Sequence, residues 1–123
     1  DVAVAVVGEQ PYAEFEGDRP DGASLPPEDL AVLEALRRTG VPTVVVVVSG
    51  RPVDLHGVEE WASAVVAAWL PGTEGAGVAD VLTGAVPPSG TLPMSWPRSG
   101  DVGPVNVGDG RPALWPFGAG LVD

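Results

Sequence analysis

The sequence predicts an α/β domain: a mostly parallel sheet with helices on both faces, a three-layer α/β/α sandwich ending in a Pro/Gly-rich C-terminal segment. Three observations carry this. Short β-branched apolar runs alternate with helix-patterned segments. The runs are apolar at every position rather than at every second one, as in strands buried on both faces. Glycine and proline mark the junctions. Alternation in this order implies right-handed crossovers, with ligands bound beyond the C-terminal ends of the strands.

The first strand is Val2 to Val7, closed by Gly8. A polar loop follows from Glu9 to Pro27. Pro27-Glu28-Asp29 opens a helix, with proline in the first turn and acids at the positive end of the dipole. Leu30, Leu33, Ala35 and Leu36 form its apolar stripe, Arg37 and Arg38 suit the last turn, and Gly40 suits the C-cap. Pro42 leads into a second buried strand, Thr43 to Val48, broken by Ser49-Gly50-Arg51-Pro52. Ser63 to Trp69 fits strand or helix, and its β-branched pair and the stop at Pro71-Gly72 favour a third strand. Thr73 is a candidate N-cap, and Glu74 favours the dipole of a second helix carrying Val78, Ala79, Val81 and Leu82 and ending at Gly84. From Ala85 to Asp123 short extended pieces and loops are expected, with one strand at Thr91 to Ser95. No repeat or linker divides residues 1–123, which read as a single domain.

Composition narrows the function. The 123 residues, 45% hydrophobic, are enough to form a core without disulfides or a metal. Without cysteine there is no disulfide and no thiolate chemistry. The net charge is −11, and all 6 basic residues are arginine. Such a surface repels phosphate backbones and anionic membranes, so neither nucleic acid nor membrane is expected as a partner; a neutral sugar is not penalised. The apolar runs Thr43 to Val48 and Ala62 to Leu70 fall short of a membrane span. The chain starts Asp1-Val2 directly on a strand, without Met, and this start reads as a cut.

Chemistry concentrates in the segment from Gly8 to Arg19, where Glu9, Glu14, Glu16 and Asp18 surround Tyr12 and Phe15. The spacing does not match the alternating oxygen ligands of a helix-loop-helix calcium site, and no metal is expected. Two readings remain on composition alone. One is a solvated acidic loop. The other is glycoside hydrolysis, which needs two carboxyl groups flanking the scissile bond. One of them must hold its proton near neutral pH, which burial or neighbouring like charge achieves. Phe15, Glu16 and Asp18 supply such surroundings, and Arg19 opposes them.

The pattern Gly8-Glu9-x-Pro11-Tyr12-x-Glu14 with Gly17-Asp18 resembles a loop in the second domain of family 3 glycoside hydrolases. Matches continue in order through Ser49-Gly50-Arg51-Pro52, Ala67-Ala68-Trp69-Leu70-Pro71-Gly72-Thr73-Glu74-Gly75 and Gly77 to Leu82. Ser89-Gly90-Thr91-Leu92-Pro93, Trp96 to Ser99 and Pro116-Phe117-Gly118 complete them. The resemblance covers nearly the whole chain. It implies the larger part of the C-terminal α/β sandwich domain of a β-glucosidase or exo-β-glucanase, a retaining exo-acting enzyme that removes terminal β-D-glucosyl or related residues. In that family a (β/α)8 barrel, absent here, supplies an aspartate nucleophile, and the second domain supplies the acid/base. The resemblance places the acid/base on Glu14, with Glu16 as the rival because the loop varies in length. It implies supporting roles for Glu9, Tyr12, Asp18 and Arg19, no cofactor, and a β-glucoside or oligosaccharide substrate. The fragment alone is expected to be inactive. Relatives lean towards a secreted or periplasmic location, with a cytoplasmic one as the alternative.

Departures touch Asp21-Gly22, Asn106-Val107-Gly108 and Gly118-Ala119-Gly120, which puts substrate preference in doubt more than reaction class. Glu9 is expected to orient the loop through backbone hydrogen bonds, and Arg51 to pair with the loop acids or touch substrate. Trp69 and Trp96 read as core, and Trp115 as a candidate contact with the barrel. His56, the one histidine, lacks the companions of a metal site or a serine triad. The alternative from another class is a non-catalytic α/β module binding a small ligand or a domain through its acidic loop.

Overall fold

Runs of valine and alanine build the sheet. In a computed structural model describing residues 1–101 and 103–121, the strands are β1 (Ala3–Gly8), β2 (Thr43–Val48) and β3 (Ala64–Trp69). Helix α1 (Pro27–Thr39) links β1 to β2, and α2 (Gly75–Leu82) follows β3. The strands lie in the order β1-β2-β3, all parallel, giving the expected α/β fold. Val102, Val122 and Asp123, part of the segment expected to be loop, lie outside the described residues.

Parallel register puts Ala5 and Val7 beside Val45 and Val47 on one face. There they meet Leu33 of α1, together with Leu25, Val53, Leu55, Val58 and Trp96, in one core cluster. α1 starts at Pro27, carries Glu28 and Asp29 in its first turn and Arg37 and Arg38 in its last, and ends on left-handed Gly40. Asp29 also accepts a hydrogen bond from the Gly8 amide at 3.0 Å, tying the helix start to the end of β1. The opposite face differs from expectation. β1 was read as buried on both sides, yet Val4 is 50% and Val6 65% exposed. The reason is position: among the described residues β1 is an edge strand paired with β2 alone, and α2 buries no residue.

Two further expectations are corrected. Thr91 to Ser95 is not a strand. Leu92 pairs with Ala119 and Gly118, and Trp96 with Trp115 and Leu114, but only as isolated contacts. Pro93, Pro97 and Pro116 have no amide to extend them into a ladder. Thr73 does not cap α2; the helix begins after Glu74 with no side-chain cap bond.

The core continues into the aromatic residues. Trp96, 1% exposed, donates its indole N–H to the Val53 carbonyl at 2.9 Å. It packs edge-on against Trp115 and tilted against Trp69, with centroids 5.9 and 6.1 Å away. The Asp54 carboxylate knots the loops nearby. It accepts from Ser99 Oγ, the Gly100 amide and the His56 amide, while His56 Nε2 lies 2.7 Å from Ser24 Oγ. Burial pushes the Asp54 carboxyl up, but the hydrogen bonds from Ser99, Gly100 and His56, with the nearby His56 charge, prevail and hold it below the ordinary value.

Two outcomes follow. The Gly8 Cα lies against the Val48 carbonyl, so a Cβ there would collide with backbone. Gly8→Ala should cost about 1–3 kcal/mol in urea unfolding, and unchanged stability would contradict this close crossing. A depressed folded-state pKa at Asp54 stabilises the fold above the unfolded value, near about 3.9, and that contribution fades as pH falls through the folded value. Asp54→Asn should therefore lower stability at neutral pH and flatten its acid-side decline below about pH 4; parallel stability–pH curves would argue against the carboxylate knot.

Candidate active site

Because the three strands run the same way, the loops leaving them converge at one end of the sheet. These are the acidic loop after β1, Ser49 to Pro52 after β2, and Leu70 to Gly72 after β3. Ser49 Oγ donates to the Arg51 carbonyl at 2.7 Å, turning the chain so that Arg51 faces the acidic loop. The register of β2 against β3 slips between Val47 and Val48, and Trp69 closes β3 with φ 55°. A bulge and a positive φ on a bulky residue re-aim the chain at the strand end, at a cost of order 1–3 kcal/mol.

Within the acidic loop the carboxylates separate into two kinds. Glu9 is withdrawn: its side chain is 3% exposed, against 33% for its partner Arg51. Arg51 Nε lies 3.2 Å from each Glu9 oxygen, and Nη2 donates to Oε1. Arg19 adds a looser contact at 3.6 Å. Glu9 thus orients the loop through arginines, where backbone hydrogen bonds had been expected. Removing one partner of a buried pair costs roughly 3–5 kcal/mol, an upper figure here because Arg51 is partly solvated. The hydrogen bond that Arg51 donates to Glu9 raises the Arg51 pKa above its ordinary value; burial opposes this, and the charges of Glu9, Tyr12 and Asp18 add to the rise.

Glu14 and Glu16 are the other kind. Both sit exposed on a turn closed by the Glu16 amide on the Ala13 carbonyl at 3.0 Å and the Asp18 amide on the Phe15 carbonyl at 3.3 Å. Among the described residues neither carboxylate has a hydrogen-bond or ion-pair partner. Phe15 between them takes φ 68° and is 81% exposed. Asp18 is exposed too. Tyr12 lies with its ring 5.2 Å from the Arg51 guanidinium carbon. Of the residues singled out from sequence, the structure brings Glu9 and Tyr12 onto Arg51, sets Arg19 against Glu9, and leaves Glu14, Glu16 and Asp18 exposed on the outer turn.

Sequence reasoning missed two features. Arg51 Nη2 donates to the Gly17 carbonyl at 2.7 Å, and a Cβ on Gly17 would collide with the Tyr12 ring. The signal was present in the two glycines that bracket the loop. Asp29 was read only as a helix-dipole acid, although it also binds the Gly8 amide. Two cavities of about 220 and 300 Å³ lie elsewhere, one beside Leu33 and Trp61, the other beside Val105 and Phe117. Glu14 lines neither. Among the described residues, no three of His, Cys, Asp or Glu cluster as a metal site would need. Trp115, the candidate barrel contact, is partly buried against Trp96.

The chain is similar to known proteins in sequence and fold. The model of the glycosyl hydrolase family 3 C-terminal domain matches residues 1–122. A periplasmic β-glucosidase of Salmonella typhimurium is 37% identical over 98% of the chain. A lysosomal β-glucosidase of Dictyostelium discoideum is 42% identical over 84% of it. The crystal structure of an exo-1,3/1,4-β-glucanase from a Pseudoalteromonas species superposes with a TM-score of 0.84 at 39% identity over 98% of the chain. The chain spans 19%, 13% and 16% of these three proteins' own lengths.

Proposed function

Because the chain belongs to glycosyl hydrolase family 3, as its C-terminal domain, we propose that it supplies the general acid/base of a retaining, exo-acting β-glycosidase that hydrolyses terminal β-D-glucosyl or related residues. One observation supports this above the rest. Glu14 is an exposed carboxyl with no partner among the described residues, standing on a loop that is anchored at both ends. A carboxyl meant to stabilise its own fold would be paired, as Glu9 is. Phe15, next to it in the chain, is exposed, as is Leu70 in the loop after β3, and exposed apolar side chains suit the centre of an interface. Glu16 remains the rival, two residues further along the same turn.

The chemistry is shared between two domains. The second is a (β/α)8 barrel outside residues 1–123, whose aspartate attacks the anomeric carbon while Glu14 gives its proton to the departing glycosidic oxygen. Glu14, now ionised, removes a proton from water as that water releases the sugar. Retaining enzymes hold the two carboxyls about 5–5.5 Å apart, so the barrel must seat directly over the acidic loop. Docking would shield Glu14 from water. The domain alone lacks the nucleophile and is inactive. The periplasmic relative supports a secreted or periplasmic location for the parent protein.

In the complete polypeptide, Glu14→Gln should lower kcat/KM by about 10²–10⁴-fold on glucosides with poor leaving groups. Activated aryl glucosides should be largely spared at the first step, and azide should restore their turnover. Equal loss on both substrates, or none, would reject Glu14. The same signature from Glu16→Gln instead would move the role to Glu16, and its absence from both would favour a non-catalytic binding module.

A further inference from the structure

We infer that Arg51 is a positioning residue for the acid/base: by holding both ends and the middle of the loop that carries Glu14, it sets where that carboxyl points. This rests on the reading of Glu14 given above.

The loop opens at Glu9 and closes at Gly17, and Arg51 binds both. Its Nε and Nη2 engage the Glu9 carboxylate, and Nη2 reaches the Gly17 carbonyl at 2.7 Å. The face of the same guanidinium carries the Tyr12 ring, 5.2 Å from Cζ. Tyr12 in turn occupies the space a side chain at Gly17 would need. Glu9, Tyr12 and Gly17 are thus held by one side chain from the end of another strand, which fixes the chord of the turn containing Glu14. No hydrogen bond or ion pair joins Arg51 to Glu14 among the described residues, so its hold on Glu14 runs through the backbone between Tyr12 and Gly17.

Arginine suits the task because one rigid plane donates in two directions while its face stacks on an aromatic ring. Lysine offers a point charge without the fork or the face. Proton donation is sensitive to placement: an error of about 1 Å can cost on the order of 10²-fold in rate.

The test is a double-mutant cycle in the complete polypeptide, reading kcat/KM across aryl β-glucosides of graded leaving-group acidity. Arg51→Met should lower kcat/KM by about 10²-fold on poor leaving groups and much less on activated ones. Added to Glu14→Gln, it should cause little further loss. A loss equal for all leaving groups, or one that multiplies with the loss from Glu14→Gln, would overturn the inference and leave Arg51 with a fold-holding or sugar-binding role. Should Glu14→Gln itself show no leaving-group dependence, the acid/base reading falls and this inference falls with it, an outcome distinguished by that single variant. Arg51→Met leaves Glu9 with only the looser Arg19 contact and can compromise folding. Gly17→Ala supplies the second arm, since it displaces Tyr12 without touching the ion pair. It should reproduce the leaving-group signature, and a uniform loss or no loss would overturn the inference.

Discussion

A carboxylate almost wholly withdrawn from water must be answered by a positive charge, and at the end of β1 that carboxylate is Glu9. Arg51 answers it from the end of β2, 42 residues away in sequence. The contact exists because β1 and β2 run parallel and in register, with Gly8 paired to Val48. The residues that follow each strand therefore emerge side by side. Asp29 secures the same strand end from the helix side through the Gly8 amide. Strand pairing, helix docking and loop anchoring meet within a few residues, and Glu9 is the group whose desolvation makes the arrangement obligatory.

The loop's other carboxylates follow a different logic. A fold stabilises itself by pairing its charges; a site keeps one unpaired and holds the surrounding backbone still. Glu9 takes the first task, and in the function proposed above Glu14, five positions on, takes the second. The sheet end repeats the pattern, with Trp69 held at positive φ beside a slip in register, a local cost sustained by the buried Trp96 packed against it. Rigid strands, an anchored loop and unpaired carboxyls on its outer turn are what the proposed two-domain active site would ask of its second domain.

Much of this was legible in the residues. Unbroken runs such as Thr43 to Val48 admit few structures, and Pro27 with Gly40 bounded α1 at the observed ends. The parallel sheet followed from the alternation of elements. What the sequence hid was long-range or depended on what a residue lacks. Val4 and Val6 have the composition of buried positions, and only the sheet order shows that nothing among the described residues lies beyond β1. Thr91 to Ser95 has strand-like composition, but proline amides are missing where a ladder would need them. In the acidic loop the type and crowding of residues were readable, and the family resemblance singled out Glu14. Which carboxylate would be buried could not be read from spacing, because Arg51 reaches Glu9 from another strand.

The central claim is that Glu14 completes an active site whose nucleophile lies on another domain. Affinity labelling measures it most directly. An N-bromoacetyl β-glucosylamine bound in the sugar pocket presents its electrophilic carbon where a leaving group would depart, within reach of the acid/base carboxylate. Incubating the complete polypeptide with this reagent and mapping the modified peptide by mass should show one ester, on Glu14, formed with loss of activity and prevented by a competing sugar. Modification at Glu16, or inactivation with the loop unlabelled, would contradict the account.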